Sequence, residues 1–120
     1  MYIERQLLVS GEPNKNGRIF PRYLWDELIS EIKADRVLGE LDYPGSKYFT
    51  LANATHLLQN PVVEEEKIYT DIKFLEVPKG VSAHEIINAI GVDNFRLKLR
   101  WEVNDNNKLD IISADLIRIR

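Results

Sequence analysis

Hydrophobic positions in this chain follow two different periods, and the changes from one to the other mark out its elements. Ile68, Thr70, Ile72 and Phe74 alternate with Tyr69, Asp71 and Lys73, the two-residue repeat of a half-buried strand. Phe95, Leu97, Leu99 and Trp101 alternate in the same way with Arg96, Lys98 and Arg100, which predicts a strand with one apolar and one basic face. Tyr2 to Ser10 reads as a further strand ending at Gly11, Val37 to Leu41 as a short buried one, and Lys108 to Arg120 as the last. Against these, Leu24, Leu28 and Ile32 recur every fourth residue, widened by Trp25 and Ile29. That spacing predicts an amphipathic helix from Pro21 to about Ala34 with Trp25 in the core, and Pro21 suits a first helical position that needs no N–H. Ser82 and Glu85 have the spacing of a capping box, which predicts a second helix to about Ile90, ended by Gly91.

Turn chemistry separates these elements. Gly11 to Arg18 holds Pro13 and an Asn16-Gly17 pair, Pro44-Gly45 follows Tyr43, and Pro78-Lys79-Gly80 interrupts the alternating run. Glu64 to Lys67 predicts a hairpin tip, and Asn104 to Asn107 a tight turn joining the last two strands. If that turn pairs Asn104 with Asn107, Asp115 stands opposite Arg96, and an ion pair of Asp115 with Arg96 or Lys98 is expected. Such a pair, if exposed, contributes about 0–1 kcal/mol.

Composition narrows the class. A chain of 120 residues, 44% hydrophobic and 29% charged, predicts one globular domain spanning 1–120. No apolar run reaches the roughly 18 residues that cross a bilayer, and Glu4 and Arg5 stand where a secretory signal is apolar. The absence of cysteine removes disulfides and thiolate metal sites and suits a reducing compartment. A net charge of −3 gives no global drive toward nucleic acid, and Arg96, Lys98 and Arg100 with Arg118 and Arg120 are too few, without interleaved aromatics, to argue for it locally. The basic stripe has two readings, a solvated surface or a contact face for an acidic partner protein. Neither a cofactor nor a metal is expected.

Ordered motifs then carry a resemblance. Asn14-Lys15-Asn16-Gly17-Arg18-Ile19-Phe20-Pro21 leads into the first helix, Gly39-Glu40-Leu41-Asp42-Tyr43-Pro44 follows the short strand, and Leu51-Ala52-Asn53 comes before His56. Ser113-Ala114-Asp115-Leu116-Ile117 lies near the end. Together these resemble tailed-phage prohead proteases, relatives of the herpesvirus capsid-maturation serine proteases, over nearly the whole chain. The resemblance implies an α+β fold, a mainly antiparallel β-barrel or closed sheet with two or three helices.

The resemblance also implies where catalysis would reside, and there the chain departs from it. The family's general-base histidine corresponds to Tyr43, whose phenol, with a pKa of about 10, is a poor acceptor for a serine proton. The strand carrying the family's serine nucleophile corresponds to Asn94 to Trp101. One register places Arg96 and Leu97 at the two serine positions, the other Lys98 and Leu99. The five serines are Ser10, Ser30, Ser46, Ser82 and Ser113, none of them in this strand. Ser82 and His84 sit two apart on a helix and point to different faces. His56 reads as a hydrogen-bonded structural residue. The resemblance further leads to the expectation that no scaffold-like or pro-segment for such a protease to remove follows Arg120.

The expectation is therefore a non-catalytic phage head protein, an auxiliary or decoration protein of the capsid. Tyr43, Arg96, Leu97, Lys98 and Asp115 would be degenerate site positions, and Arg96, Lys98 and Arg100 a partner-binding face. Expected partners are the major capsid protein or other head proteins, with homo-oligomers open and with no membrane. The expected location is the virion, after assembly in the host cytoplasm. Two alternatives stand beside this: an active maturation protease in which Ser46 or Ser113 meets His56, and an assembly regulator absent from the virion. Tyr23, Tyr48 and Phe49 serve either as a partner anchor or as core.

Overall fold

A computed structural model describes residues 1–13, 17–41 and 50–119 of the chain. Among these described residues, six strands and two α-helices follow in the order β1 (Tyr2–Ser10), α1 (Trp25–Lys33), β2 (Leu38–Gly39), β3 (His56–Glu64), β4 (Lys67–Phe74), α2 (Pro78–Ile90), β5 (Phe95–Val103) and β6 (Leu109–Arg118). Three short 3-10 turns lie at 22–24, 51–53 and 92–94. Every strand pair within the two sheets is antiparallel. One sheet has the order β1-β4-β3-β2, the other is the β5-β6 hairpin.

The core is built as the periodicities require. Leu24, Trp25, Leu28 and Ile32 of the first helical segment are buried, and so are Ile68, Thr70, Ile72 and Phe74, the inward set of β4. Leu8, Val37, Leu58, Ile87, Phe95, Ala114 and Leu116 join them. The segment begins as a 3-10 turn behind Pro21 and becomes α-helical only at Trp25. The second helix starts earlier than its capping-box spacing indicates. Pro78 occupies its first turn, so Ser82 lies inside the helix and caps nothing. Gly80 is what allows this start, since a Cβ there would lie 2.0 Å from the Leu75 carbonyl oxygen.

A closed barrel is not found among the described residues. Among the described residues the two sheets are joined by backbone hydrogen bonds on one side only, where Leu41 makes a parallel bridge to Leu116 and the Leu116 N–H donates to the Glu40 carbonyl at 3.0 Å. On the other side β1 and β5 approach without a ladder. Bulges explain part of this failure to close, because an extra residue bends a strand and increases its twist. β1 is irregular between Ile3 and Gln6 and again between Leu7 and Val9, with Arg5 at a φ of 53°, and β6 carries an extra residue, Ile112, opposite the Arg100–Trp101 step of β5. Phe20 and Trp101, edge to face with centroids 4.8 Å apart, add an aromatic wedge at the seam.

The extra residue of β6 also moves Asp115. It stands opposite Lys98, not Arg96. One residue of this difference comes from the turn, which closes through an Asn104 N–H to Lys108 carbonyl bond, and one from the bulge.

Candidate functional site

Where β2 joins the four-stranded sheet to β6, polar side chains are concentrated inside the fold. His56, Ser113 and Asp115 have no exposed surface, and Glu40 and Thr55 are buried. Gly39 pairs with His56 at the start of β3, and Glu40 runs against β6. Gly39 is required by close approach, because a Cβ there would fall 1.8 Å from the Ala114 carbonyl oxygen and 2.5 Å from His56 Nε2.

Two linked networks satisfy these groups. In the first, His56 Nε2–H donates to the Ala114 carbonyl at 2.7 Å, which leaves Nδ1 to accept from the Thr55 hydroxyl, also at 2.7 Å. In the second, the Glu40 N–H donates to Asp115 Oδ1 at 2.9 Å, and the Ser113 hydroxyl donates to Asp115 Oδ2 at 3.1 Å. Arg100 turns inward, its Nε 2.8 Å from Asp115 Oδ2 and 2.7 Å from Ser113 Oγ, with Nη2 3.9 Å from Glu40 Oε2. Burial is the largest influence on Asp115 and raises its pKa, against the lowering effects of the Glu40 N–H, Arg100 and Ser113.

His56 is a neutral imidazole. Burial pushes its pKa down to about 4 from 6.5, and the bond to Ala114 only partly opposes this. The hydroxyl–imidazole distance to Thr55 is that of a nucleophile and its base, but an imidazole so weakly basic is a poor proton acceptor near neutral pH. The shift also makes a prediction. Unfolded chains take up the proton below pH 6.5 whereas the native state resists until about pH 4, so stability is lost as pH falls through that window, by ~3 kcal/mol in all. Comparing denaturation of the native protein with His56→Gln at pH 7 and pH 4.5 isolates the effect, since the variant lacks this component. An imidazole titrating near 6.5 by NMR would contradict it.

The sequence-derived positions separate into three groups. Tyr43, Asp42 and Ser46, with Tyr48 and Phe49, lie outside the described residues. Arg96 and Lys98 are exposed on β5 and Leu97 packs on the core, whereas Arg100 is removed from the basic stripe by its buried ion pair. Asp115 is ion-paired as expected in kind, but with Arg100 in place of Arg96 or Lys98, because the extra residue of β6 sets Ser113 opposite Arg100 and Asp115 on the same face. Ser113 bonds to Arg100 and Asp115 and not to His56, and no hydrogen bond joins Ser82 to His84 among the described residues. Tyr23 is exposed. Glu40, Thr55 and the inward turn of Arg100 went unread in the sequence. The available signal was a Ser-x-Asp pair inside an apolar strand, facing an arginine across the hairpin. Among the described residues no group of three or more His, Asp or Glu side chains could hold a metal.

A groove of about 440 Å³ runs beside the junction, lined by Leu41, Thr55, Pro78, Ser82 and Ile86 among others. With this geometry established, comparison with solved structures places the fold. It is prohead-protease-like. The structure of the bacteriophage T4 capsid assembly protease, gp21, matches with a TM-score of 0.72 over 99% of this chain and 82% of that one, at 14% sequence identity. No protein-family model matches the chain, and no curated protein matches it in sequence. At that identity the likeness carries the α+β, antiparallel architecture, and no helix among the described residues is long and apolar enough to cross a membrane.

Proposed function

We propose that this chain is a non-catalytic head protein of a tailed phage, an auxiliary or decoration protein that binds the major capsid shell with a capsid-protease fold. The observation that supports the reading is the closed polar junction. His56 has both ring nitrogens engaged, Ser113 and Asp115 are bonded to Arg100, and each of the three is fully buried, so none is presented to a substrate as nucleophile or base. The sequence adds that Tyr43 stands at the family's base position and that Arg96, Leu97, Lys98 and Leu99 span its serine positions in either register.

A protease acting on capsid assembly must meet head proteins, and a fold that keeps those surfaces without the chemistry remains a binding module. That step is an analogy of fold and context. Arg96 and Lys98 remain as the exposed part of the partner face, with head proteins as partners and the virion as location. The test is the composition of purified particles, in which the chain should occur uncut and in many copies.

A further inference from the structure

The open seam between β1 and β5 suggests how such a module takes hold of its partner. β1 is paired only to β4 and β5 only to β6, and among the described residues no backbone hydrogen bond crosses between them. A cleft of about 580 Å³ lies there, a size in the usual range of roughly 300–1,000 Å³ for a site that takes a ligand. Unpaired N–H and C=O groups along a strand edge are a template for another extended chain.

The side chains specify which kind of chain. Arg18, Arg96 and Lys98 line the cleft against a single acid, Glu12. In a protein of net charge −3 this is a local reversal of sign. Arg96 and Lys98 are two residues apart on one strand face, so an extended partner meets both with carboxylates at alternate positions. Leu7, with 44% of its surface exposed, and the partly buried Leu97 and Leu99 supply apolar surface for the intervening side chains.

Resting on the reading of the chain as a head-binding module, we propose that the β1–β5 seam receives a short extended segment of a partner protein with acidic residues at alternate positions. The segment's backbone adds to the open edge of β5, and its carboxylates meet Arg96 and Lys98. Arg100, drawn inside, takes no part.

A blocked hexapeptide alternating glutamate and valine, titrated into the ¹⁵N-labelled full chain, tests this. Saturable amide shifts confined to 6–10 and 95–101 are expected, weakened by salt. The same peptide with glutamine for glutamate should bind about tenfold or more weakly. The double variant Arg96→Glu/Lys98→Glu, altered at two exposed positions, should keep its spectrum elsewhere, lose the glutamate peptide and gain one with lysine. Several results would overturn the proposal: shifts outside the seam or none, equal binding of the glutamine peptide, tighter binding of oligothymidylate, or seam shifts that follow protein concentration alone, which would make a second copy the occupant. A chain abundant in heads that ignores the peptide loses this site and keeps its function. One that binds the peptide but is absent from particles keeps the site and loses the function.

Discussion

Arg100→Met is expected to destabilise the fold by about 3–5 kcal/mol, because it leaves carboxylates buried without their cation. The Arg100 side chain is only 11% exposed, and both neighbouring acids are more deeply buried still. Water therefore cannot compensate at the site, and the remaining charge must recruit a proton. Burial already holds the Asp115 carboxyl above its usual range, so the native state binds that proton more readily than the unfolded chain does. The deficit of the variant accordingly shrinks as pH falls. Adding Asp115→Asn keeps an oxygen for the Glu40 N–H while removing the charge, and should recover about 1–2 kcal/mol. Urea denaturation of both variants at pH 7 and pH 4.5 measures this. A loss below about 1 kcal/mol for Arg100→Met would mean that the pair behaves as an exposed one.

Gly39→Ala is expected to cost about 3 kcal/mol or more, through overpacking and loss of the His56 bond to Ala114. The added methyl would meet a carbonyl oxygen at 1.8 Å and the His56 ring nitrogen at 2.5 Å. Neither can retreat cheaply, since one is strand backbone and the other a ring held at both nitrogens. Hydrogen exchange should show the loss concentrated at the junction: amides at 38–41 and 113–116 lose protection first, while the β3–β4 hairpin keeps its own. A stability within about 1 kcal/mol of the native protein, with the junction still protected, would show that β2 can shift away from β6 without penalty.

Much of the fold was legible because its strands bury one face and its first helix one stripe. Ile68 to Phe74 and Leu24 to Ile32 announce their elements by period alone, and the β3–β4 turn falls at its charged tip. What stayed hidden depends on single insertions and close approaches. The basic stripe keeps one face of β5, but Glu40, Ser113 and Asp115 cover its third member, Arg100. Pro78 was read as a break when it opens a helix, because a proline suits both roles and only the contact of Gly80 with Leu75 distinguishes them. The barrel expected from the resemblance fails at one seam, where irregular β1 and an aromatic wedge stand in for a ladder. At the site, Ser113 and Asp115 could be found in sequence, but their partner could not, since no pattern marks the extra Ile112 of β6 that sets Ser113 opposite Arg100.

A non-catalytic component of the capsid shell, as proposed for this chain, must be found in the finished particle. Quantitative mass spectrometry of nuclease-treated particles, from the phage or prophage expected to encode it, tests that proposal most directly. Intact chain at a copy number comparable with the major capsid protein is the predicted result. Absence from mature particles, with presence in proheads alone, would contradict it and point to an assembly factor or a working protease.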